Sequence, residues 1–236
     1  MDHWKDDVAL FGRAVDVTGP NLRARSLLAM ALLRTGRPAE ALEHAREGTR
    51  LAPADERGWM ILGFAERDAG NPAEAEAAMR EALRIDPAYA EVWVRLAALL
   101  RDTGRVEEAI EAYRRYLALV PFDGDTWTQL AILLGGLGRD AQAGAALQAA
   151  TAADPGNPLA WRNLAAFHAQ HGAWNEVAVA LTRAVALAPG DPAVLRQLGF
   201  AQLQAGDRAG ALITSRALEA MDPAAARQIR DALASP

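Results

Sequence analysis

The sequence predicts an all-α protein, a right-handed α-solenoid of antiparallel helix pairs, on three observations. Gly36, Gly70, Gly104, Gly138, Gly172 and Gly206 lie 34 residues apart, and so do Pro53, Pro87, Pro121, Pro155, Pro189 and Pro223, with no insertion or deletion. Trp59, Trp93, Trp127 and Trp161 keep the same spacing, with Arg25 and Leu195 in the corresponding places at the two ends. Between one proline and the next, two stretches of apolar residues at helical spacing flank each glycine. A unit that short cannot bury an apolar face alone, so it must stack on copies of itself along one axis.

Each element follows from that frame. Residues 1–21 read as a lone second helix, a half-repeat or cap, in which Trp4, Phe11 and Ala14 take the places of Trp174, Leu181 and Ala184, with Gly19-Pro20 as the stop. Six repeats follow at 22–55, 56–89, 90–123, 124–157, 158–191 and 192–225. In the third, Val92, Trp93, Leu96, Ala97 and Leu100 recur at helical spacing before Asp102-Thr103-Gly104-Arg105 breaks the pattern. Ala109, Ile110, Tyr113, Tyr116 and Leu117 then form a second stripe that ends at Pro121, which cannot continue a helical hydrogen-bond ladder. The fourth repeat crowds Gly135, Gly136, Gly138 and Gly144 together, which marks it as the weakest, since glycine disfavours helix. Residues 226–236 complete a C-terminal capping helix running from Pro223, with Ile229 and Leu233 inward and Arg227, Gln228, Arg230 and Asp231 outward.

Composition removes several classes of function. Apolar residues are 51% of the 236 and aromatics only 6%, so alanine fills the interior and close helix packing is expected. With 30 acidic and 25 basic residues and a net charge of -5, the chain is no partner for a nucleic-acid backbone. No apolar run is long enough for membrane insertion, and Met1-Asp2-His3-Trp4-Lys5-Asp6-Asp7 lacks a secretion signal, so a cytoplasmic place is expected. The absence of cysteine excludes disulfides, thiolate metal sites and cysteine nucleophiles.

The residues also resemble a known family. The tetratricopeptide signature places a tryptophan, a leucine and a small residue before a glycine turn, then an alanine, a large residue and a closing proline, at this period. The second repeat supplies Trp59, Leu62, Gly63, Gly70, Ala75, Met79, Ala82 and Pro87; the third supplies Trp93, Leu96, Ala97, Gly104, Ala109, Tyr113 and Pro121. One departure is uniform: the family's tyrosine position holds Leu32, Glu66, Leu100, Leu134, His168 and Gln202. The resemblance implies a protein-binding or peptide-binding scaffold whose concave groove is lined by the first helix of each repeat. The opening Trp4-Lys5-Asp6, with Leu10-Phe11 and Ala14-Val15, also resembles the start of repeat regions that follow the last membrane helix in bacterial glycosyltransferase-like membrane proteins.

Candidate binding residues are those of the first helices that the second helices do not use. At the ninth position of the repeats stand Met30, Phe64, Ile132 and Phe200, joined by Met60 at the fifth and Ile61 at the sixth. From the third repeat onward the sixth position holds Arg95, Gln129, Asn163 and Gln197, a row of guanidinium and amide groups able to bridge a peptide backbone. Arg162 and Arg196 join them in the last two repeats, with Gln170 and Gln204 nearby and no carboxylate in these positions, which favours an acidic side chain or a C-terminal carboxylate on the partner. The lysine and asparagine set by which some relatives clamp chaperone tails is not supplied by any three successive repeats, and Glu91 stands where that clamp needs a lysine.

No catalytic, metal or cofactor site is expected. Gly136, Gly138 and Ala141 imitate a dinucleotide fingerprint but follow a helix where a strand is required, so they read as a turn. His168 and His171 lack a third ligand, His3 and His44 are isolated, and Ser26, Ser215 and Ser235 stand beside no histidine. Glu66, in a normally apolar place, reads as a structural residue before it reads as an acid. Two further functions stay open on the sequence: self-association through an exposed first helix bearing Trp4, Leu10 and Phe11, and a soluble extracytoplasmic or accessory domain of a larger membrane protein.

Overall fold

The computed structural model describes residues 3–19 and 21–234, with side chains from residue 7 onward. Expectations placed on the Trp4 and Lys5 side chains, on Pro20 and on Ser235 therefore lie outside what is described. Among the described residues there are fourteen helices and no strand. They are α1 (His3–Thr18), α2 (Leu22–Arg34), α3 (Pro38–Leu51), α4 (Glu56–Asp68), α5 (Pro72–Ile85), α6 (Ala90–Asp102) and α7 (Val106–Leu119). There follow α8 (Gly124–Gly136), α9 (Asp140–Ala153), α10 (Pro158–Gln170), α11 (Trp174–Leu187), α12 (Pro192–Gln204), α13 (Arg208–Leu218) and α14 (Pro223–Ala234). The six repeats supply the pairs from α2·α3 to α12·α13, and the C-terminal helix begins at Pro223, within the last residues of the sixth repeat. The chain forms two compact halves, 1–120 with α1 to α7 and 121–236 with α8 to α14, and in each half every helix packs on the next in sequence.

The glycine series makes the turn inside each pair. Gly36, Gly70, Gly104, Gly138, Gly172 and Gly206 all have positive φ, between 68° and 85°, a left-handed conformation that side chains disfavour. In the first repeat Gly36 N–H donates to the Leu33 carbonyl and Arg37 N–H to the Leu32 carbonyl, which satisfies the open carbonyls at the end of α2. The same pair of bonds recurs at each of the other five glycines.

The tryptophan and proline series meet between pairs. The indole Nε1–H of Trp59 donates to the Pro53 carbonyl at 2.9 Å, and Trp93, Trp127 and Trp161 repeat this with Pro87, Pro121 and Pro155 at 2.8, 2.9 and 3.0 Å. Next to that carbonyl the following helix starts on an Asx cap: Asn21, Asp55, Asp123, Asn157 and Asp191 each accept a backbone N–H from the first turn. Tyr89 fills this place before α6, which starts without a side-chain cap.

Each first helix buries two faces. Leu28, Leu62, Leu96, Leu130, Leu164 and Leu198 are buried on the expected stripe. Ala24, Val92, Thr126, Ala160 and Val194, one position before the tryptophan place, are also buried, as are Ala31, Ala65, Leu99 and Ala201. A helix inside a stack touches neighbours on both sides, which a one-stripe reading understates. Glu66 is 3% exposed, and its carboxylate accepts from the exposed Arg46 through Nη2 and from Asn71 Nδ2, both at 2.8 Å, so it is a buried structural acid paired at the surface.

The glycine-rich fourth repeat divides by role. A Cβ on Gly144 would stand 2.8 Å from the Phe167 ring, so glycine there allows α9 to approach α10. Gly136 faces open space, and Gly135 meets only Ala143 at 4.0 Å. Gly135→Ala and Gly136→Ala should each stabilise the protein by up to about 0.5 to 1 kcal/mol, whereas Gly144→Ala should destabilise it, read from denaturant midpoints. A stabilising Gly144→Ala would contradict this packing.

Trp127→Phe keeps an aromatic ring but removes the donor to the Pro121 carbonyl, and should cost roughly 0.5 to 1.5 kcal/mol in urea unfolding. A variant as stable as the parent would show that water serves that carbonyl equally well.

In the first repeat, Arg25 Nε and His44 Nδ1 are buried with no hydrogen-bond partner among the described residues. Burial first, and then the Arg25 charge, push the His44 pKa below its ordinary 6.5. The folded state thus resists a proton that the unfolded chain accepts, so His44 contributes stability above pH 6.5 that is lost as pH falls through its lowered folded value. His44→Leu should flatten stability against pH below pH 6.5; an unchanged slope would assign the dependence to another group.

Candidate functional site

All five candidate residues of the N-terminal half gather around one depression of 270 Å³. Met30 on α2, Met60, Ile61 and Phe64 on α4, and Arg95 on α6 line it, with Arg67, Asp68 and Glu91 beside them. Met60 and Ile61 are 6% and 2% exposed, so they form its floor. Phe64 is half-buried, and the guanidinium carbons of Arg67 and Arg95 each lie 5.6 Å from its ring centre, an arrangement in which the ring face meets positive charge. Asp68 accepts from Arg67 at 2.7 Å, so this depression presents both signs of charge.

In the C-terminal half the candidates divide between two cavities. Ile132 and Asn163 line one of 370 Å³ with Gly135, Gly136, Asp140 and Phe167. Arg162, Gln197 and Phe200 line a larger one of 680 Å³ between α10, α11 and α12, whose walls include Ala165, Ala169, Trp174, Val177 and Leu181. Gln129 is half-buried on α8, and Arg196 is exposed on α12. Ile132 is 60% and Phe200 38% exposed, large apolar groups held at the surface.

Carboxylates reach the two arginines from outside the first-helix positions. Arg162 Nη1 lies 3.6 Å from Asp191, the cap of α12, and Arg196 Nη1 lies 3.9 Å from Asp222, which accepts from Ala225 N–H at the start of α14. Both contacts are long and use one nitrogen of a group with five N–H donors, so each guanidinium retains donors for a second acceptor.

His168 and His171 are not set as a ligand pair. His171 Nδ1 is 2.8 Å from the Phe167 carbonyl and its Nε2 is 3.3 Å from Asp140; these two contacts raise its pKa, the carbonyl first. Ser215 Oγ donates to the Leu212 carbonyl within its own helix. On α1, Leu10 and Val17 are exposed and Phe11 is half-buried.

Two features escaped the sequence reading. Trp174 opens α11 where the other second helices open with Pro38, Pro72, Val106, Asp140 and Arg208, and a large aromatic group at this varied position was the available signal. The nearness of the cap aspartates to the arginines had none, because they are a whole helix apart in the chain.

Stacked antiparallel pairs with lined depressions on their first helices define a helical-repeat protein, an architecture generally used as a scaffold for protein–protein interaction. Tetratricopeptide-repeat profiles match residues 66–131 in one case and 22–64 and 124–167 in another, together more than half of the chain. The chain belongs to the tetratricopeptide-repeat family. No curated protein matches it in sequence. Similar solved structures include the C-terminal part of a TPR repeat-containing protein from Cytophaga hutchinsonii, with TM-score 0.76 and 12% identity over 99% of this chain and 95% of that one. MamA from Desulfovibrio magneticus gives TM-score 0.61 and 20% identity over 70% and 94% of the two chains. YrrB, described as a TPR protein with an unusual peptide-binding site, gives 0.62 and 19% over 76% and 92%. At these identities the likeness is one of fold.

Proposed function

We propose that the protein is a non-catalytic scaffold that binds a protein or an extended peptide in the concave groove lined by its first helices. The observation that carries this reading is that first-helix side chains of successive repeats converge on shared depressions: Met30, Phe64 and Arg95 in one half, Arg162, Gln197 and Phe200 in the other. Apolar floors beside guanidinium and amide groups suit a segment that offers apolar side chains together with backbone and acidic acceptors. Asp191 and Asp222 compete for the two arginines, so binding is modest and sensitive to salt.

Peptides selected by phage display against the intact protein test this. Arg162→Ala with Arg196→Ala should weaken the selected peptides about 10-fold to 100-fold at low salt, and Phe64→Ala should weaken those seated in the other half. Far-ultraviolet circular dichroism should be unchanged. Peptides that bind both variants as they bind the parent would overturn the groove assignment.

A further inference from the structure

The cavity between α10, α11 and α12 combines small side chains on α10 with aromatic ones on α11 and α12. On α10 the ninth and twelfth positions are Ala166 and Ala169, where the second repeat has Phe64 and Arg67, so only small side chains line the space from these positions. Trp174 then faces the space from the first turn of α11, and Phe200 faces it from α12. Its volume, 680 Å³, falls within the range of about 300 to 1,000 Å³ typical of pockets that enclose a ligand. Polar groups stand among its lining residues: Arg162, Gln197 and Gln204, with no carboxylate.

We infer that this cavity receives an aromatic side chain whose own chain carries a carboxylate close by, as in a peptide with an aromatic residue at or beside an acidic or terminal position. Two aromatic walls favour an aromatic guest through offset and edge contacts, and alanines provide the room for it. The charge of the lining is complementary to an anion: one guanidinium and two amides supply donors, and the nearest acid, Asp191, holds Arg162 only at 3.6 Å. The inference rests on the groove reading above and names the kind of segment the second half takes.

The probes are N-acetyl-L-phenylalanine, its amide and N-acetyl-L-alanine, titrated into the full chain while the indole N–H resonances are followed by NMR, with Trp174→Phe assigning the signal of interest. N-acetyl-L-phenylalanine should shift the Trp174 indole saturably and leave those of Trp59 and Trp93 in place. The amide should bind about tenfold more weakly, and N-acetyl-L-alanine not at all. Ala169→Leu fills the cavity and should abolish the shift; Ala166→Leu, at an exposed position, gives the same test should the first variant fold poorly. No shift, a uniform shift of every indole, or an effect indifferent to both fillings would overturn the proposal. Display-selected peptides separate its failure from that of the groove: weakening by the arginine pair but not by filling removes the cavity alone. If neither change matters and Phe64→Ala is also without effect the groove fails, and the acetyl-phenylalanine titration still decides the cavity.

Discussion

The bond from a tryptophan indole to the carbonyl of the proline six residues earlier is the contact on which the rest of the array depends. A proline that ends a helix leaves a linker whose polar groups have no helical partners, and a stack tolerates only one path for that linker. By accepting from the next helix, the Pro53, Pro87, Pro121 and Pro155 carbonyls set where that helix starts and which way its tryptophan faces. The Asx caps then close the open N–H groups a residue or two further on. In α4, α8 and α10 indole and cap together fix the entry, in α6 the indole alone and in α2 and α12 the cap alone, and a left-handed glycine fixes every exit, so the outward positions of the first helices recur from repeat to repeat.

The two halves reach this arrangement with different chemistry. Second helices α3, α5 and α7 carry five acidic or basic residues each, many paired along the helix, as Glu47 with Arg50, Glu81 with Arg84 and Glu111 with Arg115. Their counterparts α9, α11 and α13 carry one, two and two. Exposed pairs of this kind add little stability each, so the first half gains mainly solubility and helix register from them. The second half depends more on alanine packing and on close approaches such as Gly144 against Phe167. Alanine packs tightly but fills little volume, which is why the larger cavities lined by first-helix candidates occur there.

Period alone made the fold legible, because glycine, proline and tryptophan each have one physical duty and keep it at every repeat where they occur. Positions were legible; depths were not. Met60 and Ile61 carry the right positions for a groove yet lie buried beneath Phe64, since a helix in a stack is covered from both sides. Glu66 looked anomalous until Arg46 and Asn71 were seen to hold it, one of them 20 residues away in the chain. Contacts of that kind are set by three-dimensional neighbours that no spacing rule encodes. Trp174 shows the converse: a large aromatic group at a position that varies among the repeats was visible in the sequence, and its meaning became readable only when the space in front of it was known.

The electrostatics of the candidate site follow from the same economy of parts. Asp191 and Asp222 are needed to start α12 and α14, and the repeat geometry brings each of them to an arginine of the preceding first helix. An acidic ligand therefore meets guanidinium groups already partly neutralised, and charge alone gives it little advantage over water and salt. In the proposed binding mode, discrimination rests on groups that line one cavity with Arg162: the amides of Gln197 and Gln204, suited to orient an acceptor, and the Trp174–Phe200 space, suited to an aromatic group over a small one. A carboxylate without an apolar neighbour, or an apolar group without an acceptor, gains only part of that set. On the binding mode proposed above, the caps that order the helices also favour the combination over charge alone.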